Sequence, residues 1–185
     1  MYQRKESPTR IVAPEFARWR TFRIGGVTPK KLLIDVRSTS SVDGMAERLM
    51  KSEAFTTQGR EEKIETIILT PANLDYEYIL TTEKLLDSEL LARWSLRNAH
   101  RLPEGYAVDL LPAEAGPHIR YQYEYQPERE ILRIAMKPMT LRSFSNLFAV
   151  RRGSDGVRVL GASWAGPATQ WSLGVRFVYR LRKLA

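Results

Sequence analysis

Chemistry in this chain would have to come mainly from arginine. Arg151, Arg152, Arg158, Arg176, Arg180 and Arg182 crowd the last third, where residues 131–185 hold 10 Lys+Arg against 1 Asp. A guanidinium is always charged, and its planar fork matches phosphate and carboxylate oxygens, so such a block calls for an anionic counterpart. Residues 61–130 supply one within the chain, with 7 Lys+Arg against 14 Asp+Glu. Residues 1–60 are basic again, 12 against 6, and the whole chain carries a net +8. There Arg18, Trp19, Arg20 and Arg23 mix an aromatic ring with guanidinium groups, a composition used in both nucleic-acid and protein contacts. These four and the six C-terminal arginines form the candidate partner-binding set.

Other chemistries leave little trace. The sequence has no glycine-rich phosphate loop, no G-x-S-x-G elbow and no H-E-x-x-H pair. Zero cysteines and two histidines exclude a disulfide framework and any thiolate metal site, so the expectation is a protein without cofactor or resident metal. His100, beside a helix end, and His118, in a proline-flanked loop, read as surface residues. One carboxylate pair stands apart. Asp35 on an alternating segment and Asp75 at a turn resemble the metal-holding carboxylates of some phosphoryl-transfer enzymes built on a ferredoxin-like sheet, and that resemblance implies divalent-metal catalysis.

The elements that must carry these side chains follow from periodicity. Residues 1–30, punctuated by Pro8, Pro14, Gly25, Gly26 and Pro29, read as an extended N-terminal arm with at most a short strand near 20–24. Within 31–112, residues 32–37 alternate as a strand, and Ser40 or Ser41 then caps a helix over 42–50. Strands over 63–70 and 75–80 flank a turn through Pro71 and Asn73. A long helix begins at Thr81 or Thr82 and ends before Pro103, and 106–111 closes the series as a strand. The order β-α-β-β-α-β predicts an α+β fold with a ferredoxin-like, split βαβ sheet. One face of that sheet carries Asp35, Glu65, Glu77 and Asp109 among apolar neighbours, and so invites a basic cover.

Residues 118–185 read as antiparallel β-hairpin layers with one short helix, packed on the preceding unit as one domain. A hairpin over 119–136 turning at 126–129 would place Tyr121, Tyr123 and Tyr125 beside Leu132, Ile134 and Met136, which assigns the tyrosines to core. Thr140 caps a helix over 141–150, and strands follow over 157–164 and 171–182. In the last, Trp171, Leu173, Val175, Phe177, Tyr179 and Leu181 share one face, with Arg176, Arg180 and Arg182 on the other.

No apolar run is long enough for a membrane span, and the N-terminus lacks the apolar core of a signal peptide, so the expected location is cytoplasmic or within a particle, with no membrane partner. The leading functional expectation is a noncatalytic structural subunit of a larger assembly, a virion or a nucleoprotein particle, whose basic C-terminal surface contacts neighbouring protein subunits or nucleic acid. The alternatives are a freestanding nucleic-acid-binding protein and a metal-dependent phosphoryl-transfer enzyme using Asp35 and Asp75. The deciding quantity is how many C-terminal arginines find carboxylates inside the molecule. Buried arginine–carboxylate pairs are costly unless well bonded, so only a few are expected to be consumed this way.

Overall fold

Pro29 decides the first helix. The computed structural model describes residues 18–39, 41–74 and 80–185, with the backbone alone for 18–20. In it, strand β1 (Arg18–Ile24) leads through Gly25 and Gly26 into helix α1 (Pro29–Thr39). Proline suits the first helical position because its missing N–H needs no partner there, and the Thr28 hydroxyl accepts from Lys31 N at 3.2 Å. Leu32 and Val36 bury one stripe, Lys31 meets Asp35 one turn on at 2.9 Å, and Ile34 is left outside. The strand expected over 32–37 is therefore a helix, and the β-α-β-β-α-β order is not the order found.

The short strand β2 (Ser41–Val42) precedes α2 (Gly44–Met50), whose cap is Asp43 rather than Ser40 or Ser41; its carboxylate accepts from Met45 N and Ala46 N at 3.1 and 2.9 Å. Strand β3 (Glu62–Leu69) and the turn after it lie where the pattern placed them. Only Leu80–Thr81 of the strand expected over 75–80 is described, as β4; Asp75 and Glu77 lie outside the described residues. The single long helix expected next is two. Asp87 caps a fresh start by accepting from Glu89 N at 2.8 Å, which separates α3 (Thr82–Leu85) from α4 (Ser88–Arg97).

After β5 (Tyr106–Asp109), the stretch with the three tyrosines begins as helix α5 (Ala115–Gln122), not as a hairpin strand. Ala115, Gly116 and Ile119 form its buried stripe, and a Cβ on Gly116 would lie 2.6 Å from the Cβ of Phe148. That close seat holds the helix against the sheet. Tyr123 is core and donates to Glu130 at 3.1 Å, whereas Tyr121 and Tyr125 are exposed, so the core assignment holds for one tyrosine of the three.

Five of the remaining strands are β6 (Ile131–Ile134), β7 (Met139–Leu141), β8 (Phe144–Arg152), β9 (Arg158–Trp164) and β10 (Gln170–Trp171). The last is β11 (Arg176–Lys183). The helix expected over 141–150 is instead a tight hairpin. Leu141 pairs with Phe144, and the two residues between them, Arg142 and Ser143, take φ of 49° and 68°. Both lie in the left-handed region that a two-residue hairpin turn demands, without the Asn-Gly that normally announces it.

The sheet runs β1-β3-β11-β6-β8-β9-β2, with β5 also on β11 and β7 also on β8; β4 and β10 form a separate pair. The architecture is thus α+β, a large mixed sheet with few helices, with parallel pairing at β11–β6 and β2–β9. One continuous cluster of buried side chains extends from Phe22 to Leu181. No helix among the described residues is long and apolar enough to cross a membrane.

Two stability outcomes follow. Gly116→Val should lower the urea-unfolding free energy by about 1–3 kcal/mol, because its branches have nowhere to go against Phe148. Ser143→Gly should raise it by about 1 kcal/mol by relieving a left-handed backbone.

Candidate anion-binding trough

β11 sets the positions of the C-terminal arginines. Phe177, Tyr179 and Leu181 are buried, and Arg176, Arg180 and Arg182 alternate with them. Its ladder with β3 runs from Phe177↔Leu69 to Leu181↔Glu65 and stops. Beyond that point β3 continues back to Glu62 with β1 as its partner, and β11 continues to Lys183 against β5. The two strands part company, and a trough of about 660 Å³ opens between them.

Five cations line it, Arg23, Lys63, Arg180, Arg182 and Lys183, against two carboxylates, Glu62 and Glu65, with Tyr106 in the wall. Three of those cations are occupied: Arg180 grips Glu62 at 2.6 Å, Arg182 meets Asp109 at 2.9 Å and Arg23 reaches Glu61 at 3.4 Å. These pairs are partly or largely open to water, where each is worth at most about 1 kcal/mol, so a phosphate could replace the carboxylate at little cost. Lys63 and Lys183 have no acidic partner among the described residues. Lys63 also stands directly across the ladder from Arg23, a like-charge pairing that destabilises a sheet unless an anion lies between.

The remaining predicted residues scatter. Arg176 pairs with Glu130 at 3.0 Å in a separate hollow, near Arg133, whose guanidinium sits 5.1 Å over the Trp171 ring and whose pKa is lowered by burial. Arg151 meets Asp43 at 3.5 Å, and Arg152 and Arg158 lie opposite each other on the β8–β9 hairpin. Arg18, Trp19 and Arg20 belong to β1, with side chains outside the described set. Among the described side chains of the predicted set, Arg23, Arg180 and Arg182 meet in the trough. Lys63 and Tyr106 were missed, since a cross-strand neighbour is defined by register and nothing in the local pattern reports it. Of the acidic face, Asp109 does receive an arginine, whereas Asp35 sits on α1, paired with Lys31. No group of three or more metal-ligating side chains occurs among the described residues.

A second polar cluster lies behind β1. His118, expected at the surface, is buried; its Nε2 accepts from Gly25 N at 3.1 Å, and burial lowers its pKa. Gln122 closes the open edge of β1 next to it, its amide accepting from Arg23 N at 2.9 Å and donating to Arg23 O at 2.7 Å. Glu114, one turn before His118 and 1% exposed, accepts from Gln58 N at 2.8 Å, and burial raises its pKa. His100, by contrast, is exposed as expected.

No protein-family model matches this chain, and comparisons with characterised sequences and with solved structures return no match.

Because Glu114 holds its proton more tightly folded than unfolded, its contribution favours the fold below the ordinary carboxylate range and is lost as pH rises through the raised value. Glu114→Gln keeps an acceptor for Gln58 without the ionisation. Its melting temperature should therefore match the parent at acid pH and exceed it increasingly toward neutrality. His118 acts in the opposite sense: its neutral form belongs to the fold, and stability falls as pH drops through its lowered value.

Proposed function

We propose that this protein is a noncatalytic subunit of a larger assembly, and that the trough between β3 and β11 is its contact with nucleic acid. The observation that carries this reading is the unbalanced charge there, 5 cations to 2 carboxylates, with Lys63 and Lys183 unpaired among the described residues. A phosphate backbone is recognised by charge density rather than by a sequence signature, which suits a surface made of separately tethered cations. The wider balance supports it. Of the 10 Lys+Arg in residues 131–185, Arg151, Arg176, Arg180 and Arg182 reach carboxylates; the other six reach none among the described residues. An external anion then has a role.

The protein-contact half of the reading rests on a mostly apolar cleft of about 520 Å³ between α4 and the C-terminal residues, bordered by the exposed Leu96 and Leu184. Exposed apolar side chains gathered around one cleft are a recurrent mark of a protein interface. Asp35 is on a helix and paired with Lys31, not on the strand that the phosphoryl-transfer alternative expects.

The test uses single-stranded oligonucleotides titrated at several salt concentrations, with light scattering alongside. Binding should weaken with a log–log slope set by the number of contacts, and Lys63→Glu with Lys183→Glu should reduce that slope by about 1.4 without loss of stability. A chain that stays monomeric and ignores nucleic acid at low salt contradicts both halves.

A further inference from the structure

Three arginines cluster away from the trough, at the hairpin end of β8 and β9. Arg120 of α5 is fully buried; Arg152 and Arg158 are half-buried and stand directly opposite each other across the β8–β9 ladder. Cross-strand partners share a face, so two guanidinium stems of like charge rise side by side, and the face they share is the one that carries Phe148, against which α5 packs. Arg120 and Arg152 both bond Gln126: Arg120 Nη1 donates to its Oε1, and Arg152 Nη1 to its carbonyl at 2.9 Å. Arg120 also donates to the carbonyls of Tyr123 and Arg151, and Arg158 Nη2 to the carbonyl of Thr39 at 2.8 Å. Burial, and after it the charges of Arg158 and Arg152, push the Arg120 pKa down to about 10.

Every one of those acceptors is neutral. None of the three arginines forms an ion pair among the described residues; Glu130, whose charge acts on Arg120, holds Arg176 and the Tyr123 hydroxyl, and Asp155 accepts from Val157 N. Each guanidinium also keeps one buried N–H with no acceptor, at Arg120 Nε, Arg152 Nε and Arg158 Nη1. A buried unpaired charge and an unsatisfied donor are both costly, and one fully buried and two half-buried charges with three unsatisfied donors in one place demand a reason.

We propose that Arg120, Arg152 and Arg158 form a binding site for a phosphate-type oxyanion, separate from the trough. Arg152 and Arg158 supply half-buried guanidinium groups with donors left over, and a tetrahedral oxyanion with several acceptor oxygens meets more than one guanidinium at once. Arg120 lies behind them as a fixed charge, tied to the backbone of α5 and β8. The site does not depend on the nucleic-acid reading, since free phosphate and a phosphodiester present the same oxygens.

The experiment is a thermal melt of the full chain titrated with inorganic phosphate, against chloride at matched ionic strength. At about 100-fold over the dissociation constant, phosphate should raise the melting temperature by roughly 5–10 °C beyond chloride. Arg152→Gln with Arg158→Gln should abolish that increment, Arg158→Lys should weaken it by loss of the fork, and Lys63→Glu with Lys183→Glu should leave it intact. No increment in the unmodified protein overturns the proposal without recourse to any variant. An undiminished increment in the double glutamine variant overturns it too, and so does loss of the increment when only the trough lysines are changed. Competition identifies the source: an oligonucleotide that removes the phosphate increment marks a phosphodiester as occupant, and one that leaves it unchanged marks the free anion.

Discussion

The molecule depends on where its last strand lies. β11 holds β3 along one edge and both β5 and β6 along the other, so the final residues of the chain join segments that begin about 45 to 114 residues before it in sequence. Its side chains alternate, and burying Phe177, Tyr179 and Leu181 forces the arginines between them onto the opposite face. A slip of one residue would bring guanidinium groups into the core, which makes the register hard to change. The trough follows from the same constraint. Once β11 turns its attention to β5, the β3 ladder ends, and cations on both strands are left facing a gap.

Charge in this fold is arranged by ladders as much as by composition. Two like-charge pairs face each other directly across strands, Arg23 with Lys63 and Arg152 with Arg158, and both lie near the ends of their ladders, where an external anion can approach. The carboxylates that meet the C-terminal arginines are Asp43, Glu62, Asp109 and Glu130, contributed by four different parts of the chain. Most of these contacts are partly open to water. They organise the surface without neutralising it, since exposed ion pairs contribute little and exchange readily.

The strands over 62–69, 106–109, 158–164 and 176–183 were legible, because each carries apolar residues at every second position or a compact β-branched run. Three segments were not. In 29–39 the apolar residues satisfy both a two-residue and a helical period, and Pro29 with Thr28 tips the balance. In 115–122 the tyrosines mimic alternation, yet the buried stripe is formed by smaller residues ahead of them, seated on Phe148. In 139–152 the hairpin turns through Arg142 and Ser143, so the usual glycine or asparagine signal is missing. The candidate site divides in the same way: Arg23, Arg180 and Arg182 were visible as basic strand residues, whereas Lys63, Lys183, Tyr106 and Arg120 acquire meaning only beside their neighbours.

By itself the sequence determined the charge segregation, the absence of cysteine chemistry and the mixed α+β character, since these depend on composition and on periods within a few residues. Only the tertiary structure decided which cations stand together and which carboxylates they reach. Both are set by strand register between segments far apart in the chain, and local side-chain order carries no record of that register.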